Sequence, residues 1–281
     1  MKSDFFWENL STVEFSTRDM GRTIALLPVA ATEQHGPHLP LAVDAIINAA
    51  VIDAMLEAAP VNSPVLVLPA QNIGLSEEHN RFPGTLSLTA ETLIAAWSEI
   101  GESVARAGVK TLVIFNSHGG NPPVMDIVAR RLRGQCGLLA VTANWYDLVD
   151  IEDLFTETER RHGIHGGAVE TSILLHLHPE LVDMTKAKNF ESLGQKMGGP
   201  KMGGPKMGGQ AMAVEFTVLS PTGGPSFAWE TQDLNETGAV GDAASATAAI
   251  GELIVQRAAD GLAALLRDVE KFDLAALKVA D

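Results

Sequence analysis

The chain has 281 residues, 46% hydrophobic and 20% charged, the make-up of a soluble globular protein long enough to bury a substantial core. Its formal charge of -15, with no dense Lys/Arg cluster, argues against a phosphate-tracking face and so against nucleic acid as a partner. Cys136 is the single cysteine, which rules out an intramolecular disulfide and fits a reducing compartment.

The opening "MKSDFFWENLST" has no apolar core of signal-peptide length, and no run of about 18 apolar residues follows. A cytoplasmic protein without membrane contact is the expectation. In chain order, "TIALLPVA" (23–30), "PVLVLPA" (64–70), "KTLVIF" (110–115) and "GLLAVTANW" (137–145) read as strands. The first three are rich in Val, Ile and Leu without clean alternation, as expected of strands covered on both faces. Helices are expected over 44–58, 90–107, 122–133 and 169–177. The second has Thr89 as a candidate N-cap and Gly108 just past its end. Strands alternating with helices imply an α/β fold with a mainly parallel β-sheet flanked by helices, here a single domain over 1–281.

The stretch "KMGGPKMGGPKMGG" lies in a Gly/Pro/Met-rich insertion over 194–210, expected to be a flexible surface excursion. The later "GAVGDAASATAAIGELIVQRAADGLAALL" reads as an amphipathic, alanine-rich packing helix.

Groups that can bind metal or move protons fall after the strands. Glu33, His35 and Asp44 lie in or just after "TEQHGPHLPLAVD", behind the first strand. Ser76, Glu77 and His79, in "GLSEEHNRFPGT", follow the second. His118, in "FNSHGGN", follows the third, and His165 and Glu170, in "HGIHGGAVETS", stand at a helix entry. In open parallel sheets the loops beyond the carboxyl ends of strands converge on a site. Carboxylates and imidazoles without thiolates suit Zn or Mn acting on water rather than a structural zinc. Each His–Gly pair alone reads as a turn, and His38 as a brace of its loop. His176 and His178 read as helix-end residues. Four such pieces at strand ends and a helix start read together as a site. No G-x-S-x-G elbow, H-E-x-x-H or Walker A motif is present, which removes serine hydrolases, zincins and P-loop enzymes.

The segments "PVAATEQHGPHLPLAVD", "GLSEEHNRFPGTLSL", "FNSHGGN" and "HGGAVETSILLHLHPELVD", with a weaker "GAVGDAASAT", occur in the order seen in the creatininase (creatinine amidohydrolase) family, which this chain resembles. The resemblance implies two divalent metal ions per subunit, Zn and/or Mn with Fe as a further option, and a homohexamer. It puts Glu33, Asp44 and His118 on one ion and His35, Asp44 and Glu170 on the other, with Asp44 bridging and His165 as proton shuttle. Substrate contacts are expected from Ser76, Glu77, His79, Gly119, Gly120, Asn121, Tyr146 and Arg161. Two departures argue against creatinine itself. Creatinine-opening members carry glutamate where this chain has Gly120, and tryptophan where it has Arg161. The function expected is hydrolysis of a C–N bond in a small, cyclic amide. Alternatives are formamide deformylation, peptide trimming, opening of an oxidised carbocycle and, less favoured, a non-catalytic metal-binding oligomer.

Overall fold

The computed structural model describes residues 2–196, 218–222 and 225–278. Four parallel strands, β1 (Ile24–Val29), β2 (Val65–Val67), β3 (Thr111–Asn116) and β4 (Leu139–Asn144), form one sheet in the order β2-β1-β3-β4. Around them run α1 (Thr12–Thr17), α2 (Val43–Ala58), α3 (Ala90–Arg106), α4 (Pro122–Cys136), α5 (Glu157–His162), α6 (Ala168–Leu177), α7 (Leu193–Lys196), α8 (Thr231–Leu234) and α9 (Ala248–Lys271). A small antiparallel pair, β5 (Asn189–Phe190) and β6 (Gly241–Asp242), lies apart from the main sheet.

Every residue of β1, β2 and β3 is buried, which is why their sequences run continuously apolar. The pleat still divides them between two cores. Leu26, Val67, Val113 and Phe115 face α2, α6 and α9, while Leu27, Leu66, Leu112 and Ile114 face α3 and α4. The edge strand β4 is only half-buried, and its sequence is correspondingly less hydrophobic.

The α/β architecture expected from the alternation is the one found, with differences at element ends. The second strand is three residues long rather than seven. Leu68 N–H still donates to Leu26 O at 2.8 Å, but Pro69 has no N–H with which to extend the ladder. α3 begins as expected, the Thr89 hydroxyl accepting from Thr92 N–H at 3.3 Å, and Gly108 follows at φ +95°. The stretch read as one long helix starts ten residues late. Gly238 and Gly241 take φ of +83° and +136°, which no helix accommodates, and Thr247 caps α9 instead. Of the Gly/Pro/Met-rich insertion, 194–196 belong to α7 and 197–210 lie outside the described residues. No helix among the described residues is long and apolar enough to cross a membrane.

Candidate metal centre

Beyond the carboxyl ends of β1 and β3, side chains from four segments meet. Glu33 and His35 come from the loop after β1, Asp44 from the first turn of α2, His118 from the loop after β3, and Glu170 from the first turn of α6. Buried amides hold these loops in place. Asn48 of α2 donates to Val29 O at 3.2 Å and Phe115 O at 3.1 Å, tying the helix that carries Asp44 to both strand ends. Ser117 Oγ donates to Asp44 O at 2.8 Å. Asn121 joins three loops: its Nδ2 donates to Ala30 O at 3.2 Å and Asn116 Oδ1 at 3.0 Å, and its Oδ1 accepts from Leu75 N–H at 3.0 Å. Asn121 is fully buried and spends its side chain on these bonds, so it braces the site instead of facing substrate.

The five groups form two facing sets. His35 Nε2 lies 3.3 Å from Asp44 Oδ1 and 3.9 Å from Glu170 Oε1. His118 Nδ1 lies 3.1 Å from Glu33 Oε1 and 3.3 Å from Asp44 Oδ2. Asp44 thus turns one oxygen to each set. Backbone carbonyls fix both imidazoles, because a carbonyl can only accept. His35 Nδ1–H donates to Glu33 O at 3.0 Å, and His118 Nε2–H donates to Leu75 O at 2.7 Å. Each ring therefore aims its other nitrogen at the carboxylates, which is how ligating histidines are held. Glu33 Oε2, His35 Nε2 and Asp44 Oδ2 are buried without a hydrogen-bond partner. Orphaned donor atoms of this kind, in oxygen and imidazole sets, fit divalent cations.

His165 lies against both sets, its Nδ1 3.8 Å from Glu33 Oε1. Its Nε2–H donates to Gln34 O at 2.6 Å, so Nδ1 presents a lone pair to the cavity. Burial pushes the His165 pKa well below the ordinary histidine value, and neighbouring His35 and His79 push the same way. The ring is neutral at pH 7. An antiparallel bridge, His165 N–H to Val240 O and Val240 N–H to His165 O, sets the loop height. The buried Glu159 carboxylate anchors this loop by accepting from Ala168 N–H and Asp242 N–H, each at 2.7 Å.

A cavity of about 600 Å3 opens over the cluster, with Trp145, Tyr146, Ile164 and Trp229 among its walls. Of the residues expected to touch substrate, His79, Gly119 and Tyr146 line it, whereas Ser76, Glu77, Gly120, Asn121 and Arg161 do not. Glu77 is exposed and turned away; Glu78 takes its place in the wall, because the 3-10 turn Glu77–His79 sends neighbouring side chains in different directions. Arg161 is exposed and outside the lining, whereas Arg160, one step back on α5, reaches it while pairing with Glu152 Oε1 at 3.5 Å. Ser76 is buried beneath His118, Oγ 3.3 Å from Nε2. Gly120 has no room for a side chain: a Cβ would strike Leu75 O and stand 2.9 Å from Glu78 Oε1. His38 braces its loop as read, Nε2 3.0 Å from Thr171 Oγ1 and its ring stacked on Phe190.

These charges give the metal-free protein a testable pH dependence. Burial alone would lower the His35 pKa, but Glu170, Asp44 and Glu33 outweigh it and raise the value to about 9. His118 is likewise raised well above 6.5, burial being overcome by Glu33 and Asp44. Groups whose folded pKa is raised stabilise fully below the unfolded value near 6.5, and that contribution is lost as pH climbs through the folded value. The chelated protein is therefore expected to melt several degrees lower at pH 9 than at pH 6.5. Metal loading should reverse the trend, since a cation needs these rings deprotonated. Equal melting temperatures at the two pH values in chelator would contradict the charge arrangement.

A sequence model of the family described as "Creatininase: Creatinine amidohydrolase" matches residues 8–266. The creatinine amidohydrolase of Pseudomonas putida is 32% identical over 203 residues, covering 66% of this chain and 76% of that protein. The mycofactocin precursor peptide peptidase of Mycolicibacterium smegmatis is 32% identical over 244 residues, covering 85% and 83%. Among solved structures, a mutant creatininase of Zn–Zn type superimposes with a TM-score of 0.70 at 26% identity, covering 95% of this chain and 99% of that one.

Proposed function

The chain belongs to the creatininase family of amidohydrolases, and on that premise we propose that it is a two-metal hydrolase that cleaves an amide C–N bond in an extended, peptide-like substrate. The observation that carries the metal reading is Asp44, whose oxygens face His35 at 3.3 Å and His118 at 3.3 Å in separate donor sets. Glu33, Asp44 and His118 would hold one ion; His35, Asp44 and Glu170 would hold the other. The donor set suits Zn or Mn. Bound there, the ions would supply Lewis acidity to a substrate carbonyl and bring the pKa of water near neutrality.

The protein's own groups do the rest. His165, neutral and with its Nδ1 lone pair toward the cavity, takes a proton from the attacking water and passes it to the leaving nitrogen. Glu159 keeps that loop at its height by the two backbone bonds described. The walls contributed by Trp145, Ile164 and Trp229 limit water around the reacting amide.

The cavity favours a larger substrate than the small cyclic amide expected from sequence. About 600 Å3 is a volume that accommodates drug-sized ligands. The Arg160 guanidinium at its wall offers planar donors to a carboxylate such as a peptide C-terminus. The similarity to a precursor peptide peptidase over 85% of the chain supports the same choice.

Two measurements test the reading. Metal content by plasma mass spectrometry should be about two equivalents per chain, falling towards one in Glu33→Ala and in Glu170→Ala. Protein that stays metal-free after incubation with Zn or Mn would sink it. Loaded enzyme should cleave short peptides faster than it opens lactams; the reverse order would restore the small cyclic substrate.

A further inference from the structure

The side chain between two of the proposed ligands, Gln34, is buried in the centre of the site and makes hydrogen bonds with defined direction. Its Oε1 accepts from Gly36 N–H at 2.9 Å, and its Nε2 donates to Gly238 O at 2.8 Å. A flipped amide would lose both bonds, so the orientation is fixed. The second Nε2 proton then points at His79 Nδ1, 2.7 Å away. An amide N–H cannot accept, so His79 Nδ1 must be the acceptor and the ring proton must sit on Nε2. His79 Nε2 stands 3.3 Å from Glu33 Oε1. The Thr231 hydroxyl is 2.9 Å from the same Nδ1, but its single proton is taken up by Glu78 O at 3.0 Å.

The four imidazoles of the site therefore differ in kind. In the neutral form that can accept metal, His35, His118 and His165 each give their N–H to a backbone carbonyl and turn a lone pair inward. His79 alone of these four turns an N–H inward, towards a carboxylate. The main chain of residue 34 sets His165 through its carbonyl, and the side chain of the same residue sets His79. Its 3.3 Å approach to His165 Nε2 brings two donors together and is not a bond.

We propose that Gln34 is a positioning residue whose amide holds His79 in the Nε2–H tautomer, so that His79 donates to Glu33 and orients that carboxylate instead of ligating metal itself. Without this bond His79 would be free to offer Nε2 as a lone pair beside Glu33. The cluster would then gain a competing ligand and lose the partner of an existing one. Gly238, at φ +83°, is part of the device, because a Cβ there would run into the Gln34 carboxamide.

The inference takes the role of Glu33 from the proposed function, but the tautomer can be read independently of metal. Long-range 1H–15N NMR on the full-length protein, once in chelator and once loaded with Zn, should show His79 protonated on Nε2 in both. Gln34→Glu replaces the donor by an acceptor of the same shape and should move the His79 proton to Nδ1. His165 should stay on Nε2, because its partner is main chain. Should the buried carboxylate prevent folding, Gln34→Met makes the same test, with Thr231 Oγ1 as the new acceptor for Nδ1–H. Zn affinity, measured against a competing chelator, should change in the shifted variant by about 10–100-fold, the usual cost of losing an outer partner of a ligand. Wild-type His79 protonated on Nδ1 would overturn the proposal, as would a tautomer that ignores the substitution. A shifted tautomer with unchanged Zn affinity would overturn the part that runs through Glu33. A protein that binds no Zn but has His79 on Nε2 would instead count against the two-metal reading alone.

Discussion

Asp44→Asn is expected to strip both metal sites at once, taking metal content from about two equivalents to well below one and abolishing hydrolysis. Asp44 is the carboxylate with one oxygen 3.3 Å from His35 and the other 3.3 Å from His118. Asparagine keeps the shape but leaves one oxygen and an NH2 that can only donate, so both imidazoles lose the Asp44 charge and one of them meets a donor in place of an oxygen. The loss should exceed the roughly 100-fold that marks the upper end for removing an outer partner of a ligand. The fold should survive. The contacts that seat α2 come from Asn48 and from Asp44 main-chain O, and neither needs the carboxylate. The metal-free variant should also lose much of the fall in melting temperature between pH 6.5 and 9, because Asp44 is one of the carboxylates that raise His35 and His118. Circular dichroism separates these effects from unfolding. An Asp44→Asn protein retaining two equivalents would show that the bridge assignment is wrong.

His165→Gln should behave in the opposite way, keeping both metals and losing the chemistry. A glutamine can still donate to Gln34 O, but it has no nitrogen that titrates. The expected loss in kcat is about 10²–10⁴-fold, the range for removing a positioned acid–base group, with KM little changed. His165 also comes within ligand-forming distance of Glu33 and His79, and of His35 and Glu170. Metal content therefore discriminates. If it drops in His165→Gln, His165 is a ligand and the proton must move elsewhere. If metal content holds and kcat changes only a few-fold, the shuttle role is lost without a replacement ligand role.

Much of the site could be read from one dimension because its parts are short-range patterns. The apolar runs 23–30 and 110–115 hold β1 and β3, and polar residues placed after such strands have one direction in which to converge. Glu33 and His35 sit two apart on a loop carrying Pro37 and Pro40, so their mutual placement is nearly local. The helix starts that carry Asp44 and Glu170 lie within a residue or two of where the pattern puts them. The reading failed where direction depends on a rotation of about a hundred degrees per residue. Glu77 and Glu78, or Arg160 and Arg161, are equivalent as text. A one-residue step on a helical turn decides which enters the cavity, and packing against the rest of the fold sets that step.

The C-terminal third shows the same division. The amphipathic pattern correctly marks a helix in 248–271, yet ten residues upstream it reads helix where glycines at positive φ turn the chain back. That turn brings Val240 to His165, a pairing 75 residues apart with no periodic signature.

The sequence by itself determined the α/β class, which rests on local periodicity, and the family, which rests on the order of its motifs, and it named candidate metal-binding side chains. Only the tertiary structure decided which side chains line the cavity, which nitrogen of each imidazole meets a backbone carbonyl, and that Gln34 and Glu159 bond across the site. Those choices are made by hydrogen bonds between segments up to about two hundred residues apart, such as Gln34 to Gly238. Their direction is fixed by which buried group can donate and which can only accept.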